Sequence, residues 1–114
     1  RKIRNNHTGQ IKYFEGQVEE ADYEIWRPDI VWFGEAIKCG DEIPEVIEQA
    51  DLYITVGTSS QVYPAAGLVG LANKYGVATI EINLERTNMS SSYHENFWGK
   101  AGEIVPEFIE KYLK

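Results

Sequence analysis

One cysteine, Cys39, is all the chain has. An internal disulfide framework is therefore excluded, and the scarcity suits a reducing compartment, so the expected location is cytoplasmic. No apolar run approaches the roughly 20 residues that span a bilayer, and no membrane anchor is expected. A basic-then-apolar leader is also missing, which leaves secretion unsupported. The chain starts at Arg1 rather than Met, however, which points to a missing natural N-terminus that could carry such a leader. Basic side chains are outnumbered, 11 Lys and Arg against 18 Asp and Glu, for a formal net charge of −7. That deficit argues against nonspecific nucleic-acid binding and modestly favours a basic, lysine-containing partner. There are two histidines. His7, beside two asparagines, has no partner at ligand spacing and reads as exposed and inactive. His94 has Glu95 next to it, but adjacent residues rarely face one another productively, so it reads as a solvent histidine. At 114 residues the chain is one domain or part of one, too short for a dinucleotide fold with two βαβαβ halves.

The most informative stretch runs from Asp51 to Gly67 and on to Asn83. Leu52 to Val56 is a short apolar, β-branched and aromatic run that stops at Gly57, which predicts a buried strand ending in a turn. Thr58, Ser59 and Ser60 follow, and Pro64 sits where a first helical turn tolerates it. Ala65, Leu68, Val69 and Ala72 fall on one helical face, and Gly76 offers a C-terminal cap. Residues 77–83 are a second apolar run, so the order is strand, loop, helix, strand, the crossover that parallel neighbours require. Ligands of open α/β sheets gather at the carboxyl ends of strands. Two such ends are marked here: Gly57, Thr58 and Ser59, and Asn83, Leu84 and Glu85. Gly57 permits close backbone approach; the hydroxyls and N–H groups suit phosphate or ribose oxygens; Asn83 and Glu85 can accept from sugar hydroxyls. Two readings stay open at this point, a nucleotide site or a turn whose hydroxyls bond locally to the backbone.

Elsewhere the pattern is plainer. Residues 1–24 combine a basic start with five acids from Glu15 to Glu24 around Val18, Ala21 and Tyr23, and read as a solvated segment or hairpin. Pro28 pushes Arg27 toward extended geometry, and Ile30 to Phe33 is expected as a strand that breaks at Gly34. That strand is either core packing or an edge for an extended peptide. Asp41 to Ala50 is expected as a helix with acids in its first turn and Ile43, Val46 and Ile47 on its apolar face. Cys39 has no His or Asp completing a nucleophile set and reads as a bystander thiol. Residues 86–96 read as a polar surface loop, and residues 97–102 as a small-residue turn where a flat base could rest. A last helix carries Ile104, Val105, Phe108, Ile109 and Tyr112 as its stripe, with Pro106 in its first turn.

Taken together, Arg27-Pro-Asp-Ile-Val-Trp-Phe-Gly-Glu35, Gly57-Thr-Ser-Ser-Gln-Val-Tyr-Pro-Ala-Ala66, Asn83-Leu-Glu85 and Gly99-Lys-Ala-Gly102 resemble, in order and spacing, the C-terminal half of the sirtuins, the NAD-dependent protein deacylases. The Val62-Tyr-Pro-Ala-Ala66 variant is most similar to bacterial-type and class III members. The resemblance runs from about Arg27 to the end. It implies an α/β fold, a partial Rossmann-like parallel sheet with flanking helices over residues 27–114, preceded by a degenerate or truncated remnant of a zinc module over residues 1–26.

Carried over by position, the resemblance implies that Gly57, Thr58 and Ser59 meet the ribose and phosphates of NAD, that Asn83, Leu84 and Glu85 hold the adenosine ribose, and that Ala101 lies by the adenine. It implies an acyl-lysine protein or peptide substrate sandwiched as an added strand by Val31, Trp32, Phe33, Gly34 and Glu35 on one side and Val62, Tyr63 and Pro64 on the other, with Val31 and Phe33 lining the lysine tunnel. The family's reaction transfers the acyl group to ADP-ribose with a histidine as base. Neither His7 nor His94 matches that histidine's motif, the Gly-Ala-Gly phosphate loop is missing, and no Tyr and Arg pair for acidic acyl groups is present. Zinc is expected of the family, but the cysteine pair that should precede Arg27 is replaced by Ala21-Asp-Tyr-Glu-Ile-Trp26. The chain is thus expected to be inactive alone and to need a missing N-terminal half or another chain. A noncatalytic NAD or ADP-ribose module and a structural interaction domain are the alternatives.

Overall fold

A computed structural model describes residues 1–17, 19 and 22–114. Val18 and Ala21, expected among the acids of the N-terminal segment, lie outside the described residues. The chain divides into two compact units, Arg1–Lys38 and Cys39–Lys114.

In the first unit, β1 (Lys2–Asn5) pairs antiparallel with β2 (Ile11–Tyr13) and with β3 (Trp26–Pro28), in the order β2-β1-β3. The expected hairpin is therefore present. Asn5 sets its turn, because its Oδ1 accepts from the N–H groups of His7 (2.8 Å) and Thr8 (2.9 Å). A single helical turn, α1 (Asp22–Ile25), leads into β3. Trp26 and Arg27 share that strand. Asp29 ends the strand as an electrostatic hub: its side chain is 1% exposed and meets Lys2 at 3.0 Å, Arg4 at 4.0 Å, and Lys38. The hydrogen bonds from Lys38 and Lys2 hold its carboxyl below the usual carboxylate range.

Beyond Asp29 the structure corrects the sequence reading. Residues 30–33 are a bend and turn rather than a strand, and Phe33 is 92% exposed. The apolar residues are there, but among the described residues no strand pairs with them. A side-chain clasp closes the loop instead: Arg27 pairs with Glu35, its Nη2 donating to Glu35 Oε2 at 3.0 Å, and the Trp32 N–H donates to the same oxygen at 3.0 Å. The Arg27 guanidinium also stacks 3.7 Å from the centre of the Trp32 ring.

The second unit opens with α2 (Ile43–Glu48) and continues through β4 (Leu52–Val56), a 3-10 turn (Ala65–Gly67), α3 (Leu68–Lys74), β5 (Ala78–Asn83), β6 (Glu95–Trp98) and α4 (Ala101–Phe108). β4, β5 and β6 form a parallel sheet in that order, with Ile54 opposite Ile80 and Ile82 opposite Phe97. The helices cover it on two faces. Ile47, Ala72 and Val77 pack with Tyr53, Leu68 and Leu71 in one cluster; Ile80, Ile82 and Phe108 pack with Ile54, Phe97 and Ile104 in the other. Central β5 is buried on both faces although only Ile80 and Ile82 of its buried residues are apolar, its other face carrying Thr79 and Glu81.

Gly76 terminates α3 as expected. At φ +73° it allows its own N–H to reach the Asn73 carbonyl (3.1 Å) and that of Val77 to reach Ala72 (3.0 Å), a Schellman motif. Several details differ from expectation. Ala65 is exposed and Ala66 is buried in its place, because the first turn is 3-10 and shifts the face. In α2, Val46 points to solvent and only Ile47 is buried, and the cap residue Glu42 makes no side-chain cap bond. Pro106 lies at the sixth position of α4 rather than in the first turn, since the helix begins already at Ala101. Ile109 and Tyr112 are both exposed, although the Tyr112 ring stacks on Phe108 at a centroid distance of 5.0 Å.

Candidate functional site at the carboxyl ends of the parallel strands

β4 and β5 run side by side and end at the same rim, so the residues that follow them share one opening. A cavity of about 340 Å³ there is lined by Gly57, Thr58, Ser59 and Gln61 from one loop and by Asn83, Leu84, Glu85, Arg86, Thr87 and Asn88 from the other. A second, of about 260 Å³, is lined by Gly57, Ile82, Asn83, Leu84, Gly99, Lys100 and Ala101. The two share Gly57, Asn83 and Leu84. Every residue expected to face the dinucleotide thus lies on this rim.

The rim is built by backbone continuation of the sheet. The Gly57 N–H donates to Ile82 O at 2.9 Å and the Gly99 N–H to Asn83 O at 2.9 Å, each extending a strand pairing by one bond. Gly57, at φ +65° with nothing within 4 Å of where a Cβ would stand, turns the chain out of β4 and leaves its face open. Thr58 Oγ1 accepts from the Ser60 N–H at 3.1 Å, so one of the three hydroxyls serves the local turn that the sequence also allowed. Ser60 is buried; Ser59 is exposed.

Asn83 does something the sequence did not disclose. Its amide nitrogen donates to the Thr58 carbonyl oxygen at 2.6 Å, and its Oδ1 accepts from the Leu84 N–H at 2.9 Å. The side chain fastens the two loops together. Glu85 is exposed on the rim.

Residues 86–96 are only partly a surface loop. Glu95 to Trp98 is strand β6, and Ser90 and Tyr93 are buried. The polar character of the segment has a partner in the sheet: Glu81, 0% exposed in the middle of β5, accepts from the Thr87 hydroxyl at 2.9 Å. Arg86, Thr87 and Asn88 were missed as lining residues. A glutamate inside an apolar strand was the signal that pointed to them. His94, exposed, is also tied to the sheet, its Nδ1 accepting from the Thr79 N–H at 3.1 Å and lying 2.8 Å from Thr79 Oγ1.

The residues expected to meet a peptide are described within their own units. In the first, Val31, Trp32 and Phe33 are exposed on the loop that Arg27 and Glu35 clasp, with Gly34 at its tip. In the second, Val62, Tyr63 and Pro64 are exposed ahead of the 3-10 turn, and the Ala66 N–H donates to Val62 O at 2.9 Å.

A family profile described as "Sir2 family" matches residues 1–64, more than half of the chain. The chain belongs to the Sir2 family. The match begins at residue 1 and ends at Pro64, so it includes the hairpin unit as well as the motif from Arg27 to Glu35. An NAD-dependent protein deacylase of Salmonella typhimurium is 41% identical over 99% of this chain and 44% of its own length. An NAD-dependent protein deacylase of Leishmania major is 47% identical over 77% of the chain and 36% of its own length. Among solved structures, a Sir2 homologue in complex with NAD superposes with a TM-score of 0.83 at 30% identity, covering 96% of this chain and 46% of that one. This sirtuin chain spans less than half the length of those relatives.

Zinc is expected from the family. A structural zinc site takes four Cys, His or carboxylate donors in a tetrahedron. This sirtuin chain has one cysteine, exposed, and two histidines, and among the described residues no three His, Cys, Asp or Glu side chains group as a metal site. The described residues do not fit a tetrahedral zinc.

Proposed function

We propose that this chain supplies the NAD-binding and acyl-lysine-binding surfaces of an NAD-dependent protein lysine deacylase, without the catalytic base. The observation that carries the reading is the convergence of Gly57, Thr58 and Ser59 with Asn83, Leu84 and Glu85 on one cavity, with Ala101 on the adjoining one. In this reading the Gly57 to Ser59 loop meets the phosphates and a ribose, Glu85 accepts from the adenosine ribose hydroxyls, and adenine rests by Ala101. Val31, Trp32, Phe33, Gly34 and Glu35 in one unit, and Val62, Tyr63 and Pro64 in the other, contact the peptide that carries the acyl-lysine. The named activity of the bacterial and Leishmania relatives supports the substrate class. The engagement of the His94 ring by Thr79 supports a base supplied from elsewhere.

Amide chemical shifts of the isotope-labelled chain, titrated with ADP-ribose, test this. Perturbations at Gly57, Ser59, Leu84, Glu85 and Ala101, with a Kd on the order of 1 mM, are expected, together with no release of acyl groups from an acyl-lysine peptide. Shifts absent from that rim would reject the nucleotide reading, and NAD-dependent deacylation by the chain alone would reject the missing base. A noncatalytic nucleotide module is the second reading, favoured by the same tethered histidine; equal affinity for NAD and ADP-ribose, with no nicotinamide released, would mark it.

A further inference from the structure

Glu81 is the most expensive residue in the sheet to bury. It is fully enclosed at the centre of the middle strand, where an apolar side chain would carry no desolvation cost. Its neighbours in register are Thr55 on β4 and Asn96 on β6, on the same face. Neither serves it: among the described residues Thr55 Oγ1, Asn96 Oδ1 and Glu81 Oε2 are buried without a partner. Among the described residues, the one side chain that hydrogen-bonds the carboxylate comes from the loop beyond the strand.

That loop is folded around the contact. The Thr87 hydroxyl donates to Glu81 Oε1 (2.9 Å) and accepts from the Met89 N–H (3.2 Å). The Thr87 N–H in turn donates to Ser90 Oγ (2.8 Å). Since the Thr87 proton is committed to Glu81, the 3.2 Å contact between the two hydroxyls is a donation from Ser90. Ser90 is itself 1% exposed and starts a 3-10 turn. The inner side of residues 84–90 is therefore locked to Glu81, while Leu84, Glu85, Arg86, Thr87 and Asn88 line the cavity. Side chains two apart on a strand share a face, so Glu81 and Asn83 stand in line, one fastening the loop after β5 and the other the loop after β4.

We propose that Glu81 is a positioning residue for nucleotide binding, its buried carboxyl fixing residues 84–90 as the wall against which ribose and phosphate oxygens are held. The assignment rests on the nucleotide reading above, which it deepens. It explains a polar residue at a core position: an apolar replacement fills the space but leaves the Thr87 hydroxyl without an acceptor.

The test uses Thr87→Val, which removes the hydroxyl from the loop side with little change of volume, Thr87→Ser, which restores it, and Glu81→Leu. Two readouts are taken, hydrogen exchange at the Ser90 and Ser92 amides, whose acceptors are backbone carbonyls, and the ADP-ribose affinity from amide shifts. In Thr87→Val the two amides are expected to exchange about tenfold faster or more and the Kd to rise by about tenfold, with the Gly57 and Gly99 amides unchanged and Thr87→Ser like the unaltered chain. Unchanged loop exchange in Thr87→Val, equal acceleration at Gly57 and Gly99, or failure of Thr87→Ser to restore the loop would each overturn the proposal. If Glu81→Leu does not fold, the Thr87 pair decides alone. Absence of ADP-ribose binding by the unaltered chain would count against the nucleotide reading, and loop exchange would then judge Glu81 by itself.

Discussion

The amide nitrogen of Asn83 donates to the carbonyl oxygen of Thr58 at 2.6 Å, across 25 residues of sequence, and joins the loops that follow two neighbouring parallel strands. Asn83→Ala removes a partner from a part-buried carbonyl and is expected to lower stability by about 1 kcal/mol. Asn83→Asp should cost at least as much, because a carboxylate has no proton for that carbonyl and sets a negative charge against it. Urea midpoints of the two variants decide; an unchanged midpoint in both would mean that the clasp contributes nothing.

Glu35 gives a pH dependence with a definite sign. The hydrogen bond from Arg27, helped by the Trp32 N–H, holds its carboxyl at about 2, below the ordinary 4.5. A carboxyl lowered by folding stabilises the folded state fully above its unfolded value, and that contribution drains away as pH falls from about 4.5 through about 2. The side-chain carboxyl ¹³C shift of Glu35 should accordingly titrate near 2, and in Arg27→Ala at higher pH, toward the ordinary value but held below it by the Trp32 N–H. A Glu35 titration unaffected by loss of Arg27 would refute the clasp.

Gly70 inside α3 and Gly76 just past its end should respond in opposite directions. Gly76→Ala places a Cβ in the left-handed region and is expected to cost about 1–2 kcal/mol, although open space surrounds the site. Gly70→Ala, exposed in the helix interior with nothing within 4 Å, should stabilise by roughly 0.5–1 kcal/mol. Thermal melts of both variants make the comparison, and equal signs would contradict it.

Burial separates two aliphatic positions that sequence patterning treats alike. Ile82→Ala, at a position 1% exposed in central β5, is expected to cost about 2–5 kcal/mol. Val46→Ala, at a position 67% exposed on α2, should stay within about 0.5 kcal/mol of the unaltered chain. Equilibrium denaturation distinguishes them, and a large loss in Val46→Ala would show that this face of α2 is covered in solution.

Legibility followed the range of the interactions. β4, the crossover helix and β5 were readable because each is decided by local periodicity and punctuated by Gly57 and Gly76. β6 was not, since Glu95 to Trp98 has no strand periodicity of its own and is extended because β5 offers it a parallel edge. The reverse error arose at residues 30–33, whose apolar content predicts a strand that finds no partner among the described residues, and which the Arg27 to Glu35 clasp holds as a loop. Ser90 likewise looked like solvent-facing polarity until the buried carboxyl of Glu81 supplied the reason for its position.

The order of apolar runs, glycines and hydroxyl residues was sufficient to read the α/β class and the two neighbouring strand ends, because these depend on contacts within a few residues, whereas the family was read from the resemblance of whole motifs. Which side chains close the rim was decided by tertiary structure alone. Asn83 and Thr58, or Glu81 and Thr87, meet only after the parallel pairing has brought separate strand ends together, and a hydrogen bond between groups so placed leaves no periodic trace in the chain.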